Sequence, residues 1–399
     1  MENELSNKGK EPILIINMDI NRTIIFQDKE KGSSVEESIK LSMTQEIWGK
    51  IDKKTNKWIS FSDKISTERP DNSSDLITYY DYLRKINKAK TKEEIPDNNE
   101  RSKINTKIKK EWQKKCNIFF DKEEPGNSFY PKLIEVINNQ KISENDLICI
   151  EKNEKSEEFK KLYENNYKFI FPSLFNLMIE LQKQKRQFTL IFRTFGQDFS
   201  DLYFEFNSFC EGKHPLYKNI YFDGTHNSLD YRIIKETTGS FHRILNDDVN
   251  NIYLVIGEFD RPEFKSHEEL FNHYNKDKII RGGKNIFKYI HGFSNGEKNN
   301  SFLISDDYDA WFKHDRQKEY GKPIFFDPEN KKYHFIFFDD NIEDKPTSIV
   351  DCKNINNSGT LEYKDIIDKF IIKVDPIQSA INKNYFIDKI KESEENLNK

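Results

Sequence analysis

Ile13-Leu14-Ile15-Ile16-Asn17-Met18-Asp19-Ile20-Asn21-Arg22-Thr23 is the stretch whose reading decides the fold. An apolar run of strand length ends in an aspartate. Asn21 follows two residues later and Thr23 two after that. A buried parallel strand reads as such a near-continuous apolar run. In open α/β sheets, ligands bind outside the carboxyl ends of the strands. Asp19 therefore stands where chemistry happens if this strand is central. The competing reading is an Asp that merely opens a turn.

Working outward, two more stretches repeat the pattern. Phe188-Thr189-Leu190-Ile191-Phe192 reads as a buried strand running into Arg193-Thr194-Phe195-Gly196. Ahead of it, Leu174, Phe175, Leu177, Met178 and Leu181 fall on one face of a helix opened by Pro172. Tyr333-His334-Phe335-Ile336-Phe337-Phe338 reads as a strand ending in Asp339-Asp340-Asn341. Gly321-Lys322-Pro323 and a short strand, Ile324–Phe326, precede it. Phe302-Leu303-Ile304 is a further strand, and it too ends near a carboxylate pair, Asp306-Asp307. Ile252–Ile256 is another, with Phe241–Leu245 pairing to it across Asn246–Asn250. The region between the first two strands is different in character. A helix starts at Ser34 with Glu37 completing a capping box; a short strand covers Trp58–Phe61; helices cover Leu76–Ile86 and Tyr130–Asn139. Lys85–Lys115 reads as a solvated helix face plus loop, because Glu93, Glu94, Asp97 and Glu111 dilute its lysines. The tail from Ile366 to Ile390 reads as helices broken near Pro376.

Composition bounds the function. The 399 residues carry 33% charged and 14% aromatic side chains, enough for a sizeable core in a polar protein. The net charge of −4 gives no global pull toward nucleic acid, so no nucleic-acid partner is expected. Cys116, Cys149, Cys210 and Cys352 are scattered with no CxxC pair, which points to a reducing compartment and a cytoplasmic protein. No apolar run approaches the length of a membrane span, and Met1–Glu11 has no apolar signal core. The eight histidines show neither HExxH nor HxH spacing, so a zinc site is not expected and His214 and His334 read as ordinary residues. A GxSxG elbow and a Walker lysine loop are both missing.

If the three strands are parallel neighbours, Asp19, Thr194 and Asp339/Asp340 meet at one sheet edge with Lys322. Such a carboxylate cluster carries too much negative charge to stay unpaired. A hard divalent cation relieves it, and Mg²⁺ suits carboxylates that leave room for waters. The cation would hold an anionic substrate while a lysine and a hydroxyl bind the remaining phosphate oxygens. That is a site for phosphoryl transfer to a carboxylate nucleophile. Lys331 or Lys332 could replace Lys322, Asp306-Asp307 is a rival acidic pair, and Arg193 is either a substrate contact or a surface salt bridge.

In the order and character of these motifs the chain resembles the haloacid-dehalogenase-like (HAD-like) hydrolases. Asp19-Ile20-Asn21-Arg22-Thr23 stands at the DxDx[T/V] motif, Thr194 at the second, Lys322 at the third, and Asp339-Asp340 at the fourth. The resemblance implies a three-layer Rossmann-like α/β fold with a parallel sheet and a mostly helical cap-type insertion. The core would be residues 11–29 plus 166–358, with a further insertion at about 215–300. The cap would be 30–165, and 359–399 a C-terminal helical extension. It implies Asp19 as the nucleophile that forms an aspartyl-phosphate, and Thr194 and Lys322 as holders of the transferring phosphate. Mg²⁺ would be bound by Asp19, the backbone carbonyl of Asn21, Asp339 and Asp340. More narrowly, Phe192–Asp198, Phe209–Pro215 and Phe337–Asn341 are similar to a group of HAD-like proteins without an established substrate. The chain departs from the family at Asn21, where the usual general acid/base is Asp. An amide cannot shuttle a proton, and such assistance is typically worth ~10²–10⁴-fold. The expectation is therefore a phosphohydrolase or phosphotransferase acting on a phosphorylated substrate, with a catalytically impaired binding or regulatory protein as the second reading.

Overall fold

The computed structural model describes residues 11–26, 32–70, 73–151, 157–196, 199–226, 228–244, 248, 250–293, 300–344, 349–357, 359 and 361–397. In chain order its strands are β1 (Ile13–Asp19), β2 (Ile47–Ile51), β3 (Trp58–Ile65), β4 (Ile77–Thr78), β5 (Phe188–Thr194), β6 (Thr238–Arg243), β7 (Ile252–Ile256), β8 (Ile279–Arg281), β9 (Ser301–Ser305), β10 (Lys322–Phe326), β11 (Tyr333–Asp339), β12 (Val350–Asn354) and β13 (Ile371–Lys373). Eight of them form one sheet in the order β13-β11-β1-β5-β9-β6-β7-β8. Its neighbours are parallel from β13 to β6, and β7 and β8 turn antiparallel at the far end.

β1 is central, with β11 on one side and β5 on the other. Every residue of β5 is buried, and β1 and β11 are buried beyond their first residue. This explains why all three read as continuous apolar runs: a strand covered on both faces has no polar side to alternate with. Leu14, Ile16 and Met18 face helices Pro172–Lys183, Phe199–Cys210 and Tyr385–Leu397. Ile15, Ile191, Phe335 and Phe337 face the helix Gly283–Phe293 and a separate parallel pair, β10 and β12. The architecture is α/β, a mostly parallel sheet between covering layers.

Several segments differ from expectation. Ile324–Phe326 is a strand, but β10 lies over the face of the sheet rather than in it. β13 was not legible: three residues are too few to display a period, and only pairing with β11 makes them a strand. The segment 359–399 is thus not helical throughout. β6 to β8, from the interval 215–300, extend the main sheet. Of the loop Asn246–Asn250, Asn246, Asp247 and Val249 lie outside the described residues, as do Gln197 and Asp198. The Lys-rich stretch is, as read, a loop at 87–97 followed by a helix, Asn98–Ile118, whose buried residues are Arg101, Trp112 and Cys116. With helices Val35–Thr44, Tyr79–Ile86 and Tyr130–Gln140 it covers an antiparallel sheet, β3-β2-β4. Phe26, Phe171, Ile377 and Ala380 from the main body join the core of this unit. Among the described residues no helix is long and apolar enough to cross a membrane.

Candidate functional site

The register of three adjacent parallel strands assembles the site. Met18 lies opposite Phe338 of β11, and Asp19 opposite Arg193 of β5. Asp19 and Asp339 therefore end neighbouring strands side by side, with Asp340 next in the chain. Strand alternation puts Asn17 and Asp19 on one face, and that face is the one β10 covers. Lys322, the first residue of β10, reaches down onto it. Its Nζ donates to Asp19 Oδ1, and to Asp339 Oδ2 at 2.8 Å. Lys322 N–H donates to Ile349 O at 2.7 Å, and Arg193 donates to Pro323 O at 3.0 Å, so both flanks of the lysine are pinned. One ligand oxygen from each of Asp19, Asp339 and Asp340 lies within 4.8 Å of the others, and all three residues are buried.

A second cation completes the cluster. The Arg22 guanidinium pairs with Asp340, donates to Gln45 Oε1 at 2.7 Å and reaches Asn341 Oδ1 at 3.3 Å. It sits in a tight turn in which Thr23, Ile24 and Ile25 N–H all point at Ile20 O. Arg22 has φ 60°, the left-handed region that a non-glycine residue occupies at a cost. Asn341 N–H donates to Asp339 Oδ1 at 2.8 Å, and its amide donates to Asp340 Oδ1 at 2.7 Å. Thr23 Oγ1 reaches Asp19 Oδ2 at 3.5 Å. The Asn21 side-chain oxygen is buried with no hydrogen-bond partner.

Burial and crowding shape the protonation of this cluster. Burial pushes the Asp19 carboxyl up to about 8; Lys322 opposes the rise, and Asp339 and Asp340 add to it. Asp340 is pushed up to about 6, again by burial, with Arg22 opposing and Asp339 adding. Burial disfavours the charge on Lys322, but Asp19, Asp339 and Asp306 outweigh it and hold the ammonium above its ordinary value. Arg22 is held above its ordinary value in the same way, chiefly by Asp340. Three carboxylates face two cations, so excess negative charge remains for a proton or a metal ion to relieve.

The other expected residues fall as follows. Thr194 ends β5, one strand over and buried, but its Oγ1 accepts from Gly196 N–H at 2.8 Å rather than contacting Asp19 or Lys322. Lys331 and Lys332 sit before β11, where Lys332 O accepts from Ile13 N–H at the opposite end of β1. Of the three lysines, Lys322 is thus the one at the cluster. Arg193 makes no surface salt bridge; it forms a buried bidentate pair with Asp306. Asp307 caps the helix Tyr308–Lys313, accepting from Ala310 N–H at 3.0 Å, and also accepts from Arg243 N–H. The rival acidic pair is structural in its contacts. His214 is buried against Glu205 and Tyr163, and His334 against Ser393 and Lys369 O. Arg22 was missed by sequence reasoning. Its one signal was its position inside the motif, between Asn21 and Thr23.

The donor set fits a hard divalent cation. Three buried carboxylates converge, no thiolate or imidazole is among them, and a buried amide oxygen lies two residues from Asp19. No protein-family model, no curated protein and no solved structure matches the chain.

Proposed function

We propose that this chain is a Mg²⁺-dependent phosphohydrolase or phosphotransferase of the HAD-like type, working through an aspartyl-phosphate on Asp19. One observation carries the reading: Asp19, Asp339 and Asp340 converge at the carboxyl ends of two adjacent central strands, with Lys322 bonded to the first two. In this reading a carboxylate oxygen of Asp19 attacks phosphorus, and the bond to the leaving oxygen breaks with its electron pair. Lys322 passes from the carboxylates to the oxygens of the transferring group and neutralises them. Thr194 accepts from Gly196 N–H, so its own O–H is left to donate to a phosphate oxygen. Asp19, Asp339, Asp340 and the Asn21 carbonyl would hold Mg²⁺. The ion supplies the positive charge that lets a phosphate dianion approach a carboxylate. The substrate is a phosphorylated molecule, and a cytoplasmic setting fits the unpaired cysteines.

A second reading is a HAD-like binding or regulatory protein without turnover. Asn21 favours it, because the motif then lacks its proton carrier. The two readings separate on an assay with Mg²⁺ and p-nitrophenyl phosphate. The expected outcome is slow turnover by the wild type, none by Asp19→Ala, and a gain of ~10²-fold or more in Asn21→Asp. Silence of Asn21→Asp across a broad panel of phosphates would sink the enzyme reading.

A further inference from the structure

The hairpin formed by β2 and β3 carries charge opposite in sign to the chain as a whole. Residues 47–65 hold Lys50, Lys53, Lys54, Lys57 and Lys64 against Asp52 and Asp63, a net +3 in a protein of net −4. Asp52 is turned back into the hairpin loop, where its Oδ1 accepts from Lys54 N–H at 3.1 Å and from Thr55 N–H at 2.6 Å. Strand alternation gives the hairpin two faces. The inner face is fixed by Trp58, which is buried with its ring 5.3 Å from Tyr79 and 5.7 Å from Phe119. The outer face is apolar and basic at once. Ile59, opposite Lys50 in the register, is 56% exposed, and Phe61 is 42% exposed. Lys50 Nζ lies 5.1 Å from the Phe61 ring centre, and the Arg69 guanidinium carbon 5.4 Å from that of Trp48. Lys50, Lys53, Lys54, Ile59 and Phe61 line an open groove of about 480 Å³.

Two kinds of occupant fit this face poorly. An added peptide strand needs a regular row of free backbone groups along a sheet edge. β3 ends its sheet, but its register steps from Ser60 opposite Gly49 to Ile65 opposite Ile47, a bulge that breaks the row. A single-stranded nucleic acid needs open ring faces for its bases to stack on. Here Ile59 is aliphatic, and the Phe61 and Trp48 rings each have a cation over them. Apolar side chains ringed by lysines suit the surface of a bilayer. There, apolar groups enter the headgroup boundary while ammonium groups stay with the lipid phosphates. We propose that the outer face of this hairpin docks the protein on an anionic phospholipid surface, with Ile59 and Phe61 entering the interface and Lys50, Lys53 and Lys54 meeting the headgroups. The contact is peripheral and does not depend on the chemistry at Asp19. Two apolar side chains anchor weakly by themselves, so the lysines are needed as well. Each lysine near such a surface contributes about fivefold in binding, and salt screens the contribution.

The test sediments the whole chain with vesicles of phosphatidylcholine alone and of phosphatidylcholine mixed with phosphatidylserine. The expected result is binding to the mixed vesicles only, falling as salt is raised. Replacing the three lysines together (Lys50→Gln, Lys53→Gln, Lys54→Gln) should weaken that binding by ~10²-fold. Ile59→Ser with Phe61→Ser should weaken it by ~10-fold or more. All five side chains are exposed, so the melting temperatures should stay near that of the wild type. The salt dependence of the wild type gives an electrostatic readout that needs no substitution. No sedimentation with the mixed vesicles at low salt overturns the proposal. Binding unchanged in both variants places any contact on another face and overturns it too. Loss in the lysine variant with none in the apolar one reduces the contact to charge alone and overturns the insertion of Ile59 and Phe61. Poly-glutamate, a single-stranded oligonucleotide and self-association in sedimentation velocity test the other occupants. If one of these depends on the hairpin residues while the vesicles are not bound, the face belongs to an acidic peptide, a nucleic acid or a second copy instead.

Discussion

Residue by residue, the ends of β1, β5, β9 and β11 are an exercise in pairing buried charge. Lys322 joins Asp19 and Asp339, Arg22 joins Asp340, and Arg193 joins Asp306. The last pair supports the site indirectly, because Arg193 also holds Pro323 O, the carbonyl next to Lys322. Its guanidinium carbon lies 4.8 Å from the Phe241 ring centre, so it is enclosed by aromatic surface. Arg193→Met would leave Asp306, fully buried, without its cation. The expected cost is about 3–5 kcal/mol in a chemical denaturation experiment. Adding Asp306→Leu should recover most of it, since removing both charges removes the desolvation penalty. No recovery in the double variant would mean that Arg193 acts instead through its hydrogen bonds to Asn17 Oδ1, at 3.4 Å, and Pro323 O. At this scale the sequence showed which residues carry charge but not their partners. Arg193 and Asp306 are 113 positions apart, and nothing local to either reveals the other.

Among the elements, the C-terminal helix Tyr385–Leu397 shows how a distant segment is tied to the sheet. Glu394 pairs with Arg186, just before β5, and lies 3.7 Å from His334 of β11. Burial would raise the Glu394 carboxyl, but its neighbours Arg186 and His334 outweigh burial and hold it down at about 2. Unfolded, a Glu titrates near 4.3. Between these values the unfolded chain binds more protons, so stability rises with pH. The contribution is complete above about pH 5 and is lost as the pH falls toward 2. Glu394→Gln is therefore expected to cost about 1–2 kcal/mol at pH 7. Its melting temperature should converge on that of the wild type below pH 3. A constant difference across that range would contradict the linkage. Element signals differed in legibility for physical reasons. The capping box at Ser34 and Glu37 is local and forms as read, with both hydrogen bonds present. β13 exists only because β11 offers it an edge.

For the whole molecule, the question is whether residues 33–140 fold with the sheet or apart from it. Phe171 bears on this, since it precedes a helix of the main body yet is buried in the core of that unit, 4.7 Å from Phe26. With Ile377 and Ala380 it makes one continuous apolar contact between the two parts. Unfolding is expected as a single transition, with tryptophan fluorescence and far-UV circular dichroism coinciding. Trp48, Trp58 and Trp112 report on one part and Trp311 on the other. Phe171→Ala should lower the stability by about 3–5 kcal/mol. If it instead splits the melt in two, the contact is what couples the parts. The same contrast separates what the chain states locally from what folding adds. The sequence alone determined the three buried strands, their acidic or hydroxyl ends and the helix between two of them. Burial on both faces forces a continuous apolar run, and a run ends where side chains can be polar. Only the tertiary structure decided that β11, β1 and β5 are neighbours and that Lys322 comes over the sheet face on β10. It also decided that Arg22 pairs with Asp340 and that Thr194 turns to Gly196. Those facts are contacts between residues far apart in the chain. They are settled by register and close approach, which no periodicity encodes.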